Sequence, residues 1–457
     1  MSKTIISVSG LRGIVGDSID PILAQRFVLA FGSTLAPGRV LVGRDGRETG
    51  DMFSRAISAA LMSAGFEVIN ADVCATPTVG VLVRDLQCSG GVQISASHNP
   101  PEYNGIKLFG ADGRVISADK GEAVIEKFEK NEFAFQPYSN IGEYQDLQDT
   151  VSAHLQLVLS TVDVSTIQSR KFKAVLDSNH GAGSVIAKRL FEELGCEFKI
   201  LGDEPDGQFE HVPEPTAENL KGVAEAAKSF GADVVFCQDP DADRLAIIDE
   251  NGKYIGEEYT LAITLKHALQ KAQASGFGQF EKKVVINCAT SRMSVDIAAE
   301  FGCECILSAV GEANVTGQMI ESNAVYGGEG NGGPIDPRVG FVRDSFVAIA
   351  QTLDAMAASQ QSPSELAAAI KPYSIIKSKM PLEKSQIIPA FDQLEAEFSA
   401  VKSSRMDGLR LDFADSWLLV RGSNTEPIVR VIAEANDDGA AQKLVDRAES
   451  IIASVAG

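Results

Sequence analysis

Short apolar runs of strand length alternate along the chain with stretches whose apolar residues recur at helical spacing, and this alternation repeats. Arg39-Val-Leu-Val-Gly opens a strand, then a polar loop and an amphipathic stretch lead to Ala64-Gly65 before Phe66-Glu67-Val68. Lys173-Ala-Val-Leu-Asp begins the same sentence and closes at Leu194-Gly195-Cys196-Glu197-Phe198. Lys283-Val-Val-Ile-Asn begins it again and closes at Phe301-Gly302-Cys303-Glu304-Cys305. Each copy predicts strand, loop, helix, a glycine at the helix C-cap and a second strand, which is a βαβ unit. Matched spacing in three copies points to a triplicated domain.

Every copy carries a further apolar strand that runs into an unusual polar loop. Val92-Gln93-Ile94 enters Ser95-Ala96-Ser97-His98-Asn99-Pro100, and the strand from Asp233 enters Asp239-Pro240-Asp241-Ala242-Asp243-Arg244. Ala324-Val325-Tyr326 enters a third loop, Gly327-Gly328-Glu329-Gly330-Asn331-Gly332-Gly333. Ligands of open α/β sheets bind beyond the carboxyl ends of strands, so three equivalent loops are expected to converge on one cleft. After the serine loop, two prolines and Asn104-Gly105 are read as a tight turn that returns the chain to Lys107. Residues 273–279 read as a surface loop, and 359–364 with Lys371-Pro372 as linker punctuation. Beyond them the pattern changes. A strand with Val429, Val431 and Ala433 on one face and a helix with Ala441, Leu444, Ala448, Ile451 and Val455 predict a small α+β domain.

Composition narrows the function classes. The 457 residues carry a formal net charge of -21, which argues against nucleic acid as a partner but allows a small anionic substrate in a local basic pocket. No stretch approaches the roughly 20 apolar residues of a membrane span, and the opening lacks a run that would predict a secretory leader. The seven cysteines are odd in number and lie mostly in or beside apolar runs, which predicts free thiols in a reducing, cytoplasmic setting.

Asp239-x-Asp241-x-Asp243 offers alternate carboxylates on one short loop, the oxygen donor set of a hard divalent cation. Glu250 falls where an EF-hand places its bidentate glutamate, but Arg244 stands where that loop needs glycine, and Leu245-Ala246-Ile247-Ile248 reads as a strand. Ser97-His98 is not a hydrolase dyad, because neighbours on an extended chain point opposite ways and no Gly-x-Ser-x-Gly elbow is present. His98 is expected to order the loop or touch substrate. A better reading makes Ser97 the carrier of a phosphoryl group, with Lys107 as proton donor or acceptor. Arg421, Ser423, Asn424 and Thr425 offer a guanidinium, two hydroxyls and an amide to a phosphate dianion. Asp177 to Ser184 resembles a glycine-rich phosphate loop only faintly and reads as a tight strand-to-helix turn.

Together these loops resemble the α-D-phosphohexomutase family, which includes phosphoglucomutase/phosphomannomutase and phosphoglucosamine mutase. The resemblance covers essentially the whole chain and keeps the motif order. Ser95 to Pro100 looks like the phosphoserine loop, and Asp239 to Arg244 like the magnesium loop. Gly328 to Gly332 lies where the sugar-recognition loop belongs, and Arg421 to Pro427 matches the phosphate-binding loop. Ser9-Gly10-Leu11-Arg12-Gly13 matches the family's opening motif, whose arginine faces the active site.

The resemblance implies three related α/β domains with mixed sheets plus a smaller C-terminal α+β domain around a central cleft, divided at 1–150, 151–252, 253–368 and 369–457. It implies interconversion of a hexose 1-phosphate and 6-phosphate through a bound hexose 1,6-bisphosphate. It also implies one Mg2+ held by Asp239, Asp241, Asp243 and phospho-Ser97. Arg12, Lys107, Arg244 and His98 would join Ser97 in the chemistry. Glu329 and Asn331 would meet the sugar, and Arg421, Ser423, Asn424 and Thr425 the non-reacting phosphate. Charge supports this reading on its own. Two phosphate dianions about 6 Å apart at an effective dielectric near 20 repel by roughly 11 kcal/mol, so such a site needs a divalent ion and several cations. Three positions depart from the bacterial pattern: Asn331 replaces a serine, Gly333 a histidine, and Ala309 a lysine. The resulting Gly-Glu-x-Asn-Gly-Gly resembles the archaeal-type branch. Phosphoglucosamine is the first expectation for substrate, with phosphomannose or phosphoglucose as alternatives. A magnesium phosphatase and a non-catalytic sugar-phosphate sensor are the rivals from other classes.

Overall fold

A computed structural model of the chain describes residues 5–7, 10–398, 402–423 and 427–456. Four sheets follow one another along the sequence, and the first three share a core order. Glu67–Val73, Arg39–Arg44, Gly90–Ile94 and Tyr103–Gly110 lie side by side in the first, three strands parallel and the fourth antiparallel. Glu197–Leu201, Lys173–Asp177, Val234–Gln238 and Leu245–Ile248 repeat that order in the second. Glu304–Ser308, Glu281–Asn287, Ala324–Glu329 and Gly333–Ile335 repeat it in the third. The first sheet also carries Ile5–Ser7 and Gly10–Ile14 at one edge and Tyr144–Asp146 at the other. A fourth, antiparallel sheet of five strands packs against helices Lys384–Glu397 and Asp438–Ala456. The architecture is therefore three related α/β domains with mixed sheets and a smaller C-terminal α+β domain.

Local chemistry explains the repeated spelling. Gly65, Gly195 and Gly302 each follow a helix with φ of 92, 66 and 67°, the left-handed conformation that closes a helix at little steric cost. The third strands, Gly90–Ile94, Val234–Gln238 and Ala324–Glu329, are buried along their whole length because a sheet neighbour flanks each side and helices cover the faces. Their polar loops emerge at the carboxyl ends, as the pattern predicts. Asp177 to Gly183 forms the expected tight strand-to-helix turn, with Asn179 and His180 both left-handed. All seven cysteines are free thiols, and none is exposed. No helix among the described residues is long and apolar enough to cross a membrane.

Four local expectations are corrected. Asn104-Gly105 is not a turn: both lie inside strand Tyr103–Gly110, and the reversal is made earlier, where Tyr103 N donates to Pro100 O at 3.1 Å. Gly105 is needed because a Cβ there would come within 2.7 Å of Ser95 O and 2.8 Å of Leu11 O on the flanking strands. Residues 273–275 continue helix Glu257–Ser275, and Phe277 beyond it is buried rather than part of a surface loop. The supposed linker holds helix Pro363–Ala368, nucleated by a capping box between Ser362 and Glu365. Gly327 to Glu329 extend the third strand, so Glu329 is fixed by a sheet rather than carried on a loop.

Helix Ser345–Ser359 ties the domains together. It is apolar nearly all round and buried from Ser345 to Ala357, and Phe346, Val347, Ile349 and Leu353 pack with Phe172, Leu176, Phe191 and Phe236 of the second domain. Its N-cap is Asp344, whose Oδ1 accepts from the amides of Phe346 and Val347. The other carboxylate oxygen lies 2.7 Å from His154 Nε2, and His154 Nδ1 lies 2.9 Å from Thr78 Oγ1. Thr78, His154 and Asp344 thus link three domains through side chains that are all buried. Replacing His154 by Ala strands two buried polar groups, at about 1–3 kcal/mol each. His154→Ala should therefore lower the midpoint of thermal unfolding by several degrees in a calorimetric scan, whereas substitution of the exposed Ile22 should not.

Candidate active site

The serine loop leaves strand Gly90–Ile94 and turns at once. Ser97 has φ of 51°, a left-handed conformation that a non-glycine residue adopts only when its surroundings impose it. Arg47 supplies much of that constraint. Its Nη2 donates to Ser97 O and Asn99 O, each at 2.6 Å, and its Nη1 to Pro100 O at 2.7 Å and Tyr103 O at 3.0 Å. Asp45 holds the same guanidinium through Nε at 3.2 Å. The left-handed residue also corrects the expectation for His98: the chain is not extended here, and His98 Nδ1 comes within 3.3 Å of Ser97 Oγ. Burial, with the guanidiniums of Arg244 and Arg12 beside it, pushes His98 down to about 3, so the imidazole is neutral at physiological pH.

Opposite stands the aspartate loop. Asp239, Asp241 and Asp243 are fully buried, and one carboxylate oxygen from each lies within 4.8 Å of the others. Left-handed Ala242 bends the loop between them. Ser97 Oγ donates to Asp239 Oδ2 at 2.7 Å, joining the two loops. Asp241 Oδ2 accepts from Thr76 Oγ1 and from Lys107 Nζ, each at 2.5 Å, and Lys107 reaches Asp243 Oδ2 at 3.1 Å. Glu250 stands apart and accepts from the hydroxyls of Ser362 and Ser364, so no EF-hand forms.

Burial dominates the electrostatics. It pushes Asp239 well above the usual carboxylate range, and the charges of Asp243 and Asp241 add to the effect. Burial opposes ionisation of Asp241 as well, but Lys107 outweighs it and holds that carboxyl low. Arg343 and then Lys107 do the same for Asp243. Lys107 would lose its proton through burial alone, yet Asp241 and Asp243 keep it above the ordinary lysine range. Asp241 Oδ1 and Asp243 Oδ1 are buried without a hydrogen-bond partner among the described residues. Dry carboxylate oxygens with nothing to accept from are a fit for a hard cation.

The remaining residues gather less evenly. Arg12 donates to Asn99 Oδ1 at 2.8 Å, which places it against the serine loop. Arg244 Nε lies 3.8 Å from Asp243 Oδ1, and its amide donates to Asp239 Oδ1 at 3.1 Å. Glu329 joins the cluster through Arg343, whose Nη1 reaches Glu329 Oε2 at 3.0 Å, Nη2 reaches Asp243 Oδ2 at 2.6 Å and Nε reaches Glu312 Oε2 at 2.8 Å. Glu329 Oε1 also accepts from Asn287 Nδ2 at 2.7 Å. Asn331 Oδ1 is buried and unpartnered among the described residues. Arg421 lies farther off, with Nη2 on Asp407 Oδ1 at 3.1 Å. Ser423 follows strand Trp417–Gly422, its amide donating to Ile428 O, while Asn424 and Thr425 lie outside the described residues.

Sequence reasoning missed Arg47, Thr76, Asn287, Glu312, Arg343 and Asp407. A signal existed for Arg47 and Asn287, since Arg47 lies in the loop after strand Arg39–Arg44 and Asn287 ends the corresponding strand of the third repeat. None existed for Arg343, which meets Asp243 across 100 residues of chain.

Beneath the third loop lies Glu258, which accepts from Ser291 N at 3.0 Å. A Cβ on Gly330 would sit 2.1 Å from either oxygen of its carboxylate, so a larger residue there would displace the Glu258 side chain. Burial pushes Glu258 up to about 8, and Glu257 beside it up to about 7. An acid whose folded value is raised favours the folded state most below its unfolded value near 4.5, and that contribution fades as pH rises through 8. Thermal stability should therefore decline from pH 5 to pH 9, and Glu258→Gln should flatten part of the slope in melts run across that range.

Comparison with known proteins places these loops in context. Four family models cover the chain in order: phosphoglucomutase/phosphomannomutase alpha/beta/alpha domain I over residues 3–135, domain II over 152–252, domain III over 257–373, and the C-terminal domain over 376–450. A phosphoglucomutase/phosphomannomutase of Thermococcus kodakarensis is 36% identical over 445 residues, covering 96% of each chain. A probable phosphoglucosamine mutase of Methanopyrus kandleri is 32% identical over 455 residues, covering 97% of this chain and 96% of its own. Among solved structures, a phosphoglucomutase/phosphomannomutase family protein of Burkholderia thailandensis superposes with a TM-score of 0.85 at 25% identity, covering 99% of this chain and 97% of that one. The chain is a member of the phosphoglucomutase/phosphomannomutase family, the α-D-phosphohexomutases, which are isomerases.

Proposed function

We propose that the protein interconverts a hexose 1-phosphate and a hexose 6-phosphate, with Ser97 as the phosphoryl carrier and glucosamine phosphate as the sugar. The observation that carries this reading is the approach of Ser97 Oγ to within 2.7 Å of Asp239 in a buried three-carboxylate cluster. A hydroxyl held there is poor at proton-relay hydrolysis, because burial and two guanidiniums leave His98 too weak a base and no carboxylate stands behind it among the described contacts. It is well placed to exchange a phosphoryl group beside a cation. Mg2+ is the proposed ion, held by Asp239, Asp241 and Asp243 with a phosphoryl oxygen on Ser97, and when bound it neutralises charge on the group in transit.

In the first half-reaction a sugar hydroxyl attacks the phosphorus on Ser97, a new P–O bond forms to the sugar, and the bond to Ser97 Oγ breaks. Lys107, which holds its proton here, gives it to the leaving Ser97 Oγ and takes it back when Ser97 attacks in the return step. The proton of the attacking sugar hydroxyl passes to a phosphoryl oxygen and returns to the sugar oxygen that leaves. Arg12 and Arg244 add positive charge around the transferred oxygens. Glu329 accepts from sugar hydroxyls, with Asn331 beside it. Arg421, Ser423, Asn424 and Thr425 hold the phosphate that is not reacting. The bound 1,6-bisphosphate then turns around and returns its other phosphoryl group to Ser97. Positioning and charge neutralisation account for most of such a transfer, which is what these side chains offer.

The name of the Methanopyrus relative supports glucosamine phosphate. A second reading, mannose or glucose phosphate, is favoured by the Thermococcus relative's name and by Arg343, which partly neutralises Glu329 and weakens its appeal to an amino group.

Peptide mapping of purified protein should find one phosphoryl group on Ser97. Ser97→Ala should abolish it and lower kcat by at least about 10^3-fold on glucosamine, mannose and glucose phosphates, and removal of divalent ions should silence the wild type. Inorganic phosphate released without isomer formation would establish a phosphatase instead. Binding and cellular output that survive Ser97→Ala would establish a sensor.

A further inference from the structure

Val310 and Gly311 connect strand Glu304–Ser308 to helix Glu312–Ser322, which Glu312 opens, and each of the three bonds a different side chain. Val310 N donates to Asp407 Oδ2 of the C-terminal domain at 3.0 Å. Gly311 N donates to Glu329 Oε1 at 3.0 Å, and Glu312 Oε2 accepts from Arg343 Nε at 2.8 Å. Gly311 has φ of 119°, open in practice only to glycine, and this conformation lets two successive amides serve different acceptors. The other oxygen of Asp407 accepts from Arg421 Nη2 at 3.1 Å. Arg421 Nε is buried and has no hydrogen-bond partner among the described residues.

One carboxylate therefore stands between two ligand-binding elements. From Asp407, one step reaches Arg421. Two steps through the Val310–Gly311 backbone reach Glu329, at the end of a buried strand. We infer that Asp407 is a positioning residue that sets the phosphate-binding guanidinium and the sugar-binding carboxylate relative to each other, across the boundary between the third and C-terminal domains. This rests on the proposed function, in which Arg421 holds phosphate and Glu329 holds sugar. The relay makes recognition of the two ends of a hexose phosphate mutually dependent: an Arg421 drawn out of place pulls on the peptide that holds Glu329. Nothing in the local sequence marks Asp407, which follows an ordinary Met406 and precedes left-handed Gly408.

Asp407→Asn tests the relay, because the amide keeps the size of the side chain but offers one acceptor oxygen where two donors are served. In the ligand-free protein, amide hydrogen exchange of the peptide spanning 309–312 should speed up by about tenfold or more, with the melting temperature nearly unchanged. Calorimetric binding of glucosamine 6-phosphate and mannose 6-phosphate should weaken by about tenfold for the sugar that turns over. In kinetics the loss should fall on KM, with kcat within about threefold of wild type. Asp407→Asn combined with Glu329→Gln should lose less than the product of the two single effects, since both act on one grip. Unchanged exchange at 309–312, or effects that multiply fully, would overturn the relay while leaving the proposed function standing. A wild-type protein that binds neither sugar phosphate would overturn both.

Discussion

Burying anionic groups together without leaving any of them uncompensated is the constraint on which the rest of the structure depends. At the junction of the first three domains, Asp239, Asp241, Asp243, Glu312 and Glu329 meet three cations among the described residues, Lys107, Arg343 and, more distantly, Arg244. A lone buried carboxylate is strongly unfavourable, so each must find a cation, a proton or several hydrogen bonds. Asp239 takes hydrogen bonds from Ser97 Oγ and two amides, Asp241 and Asp243 take Lys107 and Arg343, and Glu329 adds two N–H donors. These partners come from different domains: Lys107 from the first sheet, the aspartates from the second, Arg343 from the third. The same contacts that make the cleft reactive therefore hold the domains together, and stability and chemistry cannot be varied separately there.

Backbone geometry follows from that constraint. Ser97 and Ala242 both occupy the left-handed region, one on each of two facing loops, and each is a conformation a side chain resists. Both persist because neighbours over-determine them: four carbonyls gathered on Arg47 for the first, and for the second the hydrogen bond from Ser345 Oγ to Ala242 O with the amides that Asp239 collects around it. Strain placed at these two points lets a serine hydroxyl and alternate aspartates face each other across a gap of one hydrogen bond.

The periodic parts of this arrangement were readable in one dimension. Strand–helix alternation, the glycines after each first helix and the polar loops at the ends of buried strands are short-range patterns, and the fold class and the aspartate cluster followed from them. Long-range pairs were not readable. Arg343 and Asp407 look like ordinary charged residues in sequence, and their importance exists only once strands far apart in the chain are brought side by side. Local context also misled in the opposite direction. Asn104-Gly105 has the composition of a hairpin turn, but the flanking strands claim its backbone. Ser97-His98 reads as a pair pointing apart until one positive φ turns the two side chains together. The shape of the serine loop owes much to Arg47, a buried arginine from another loop that the sequence did not single out.

The helix from Ser345 to Ser359 carries a consequence for descent. Its residues belong to the third repeat, yet they complete the hydrophobic interior of the second, and Ala75 and Val81 of the first lie against the same interior. The three repeats thus share a topology without being independent, since the second borrows a wall from its neighbour. Recombination that exchanged one repeat between relatives would have to carry that borrowed wall along with it.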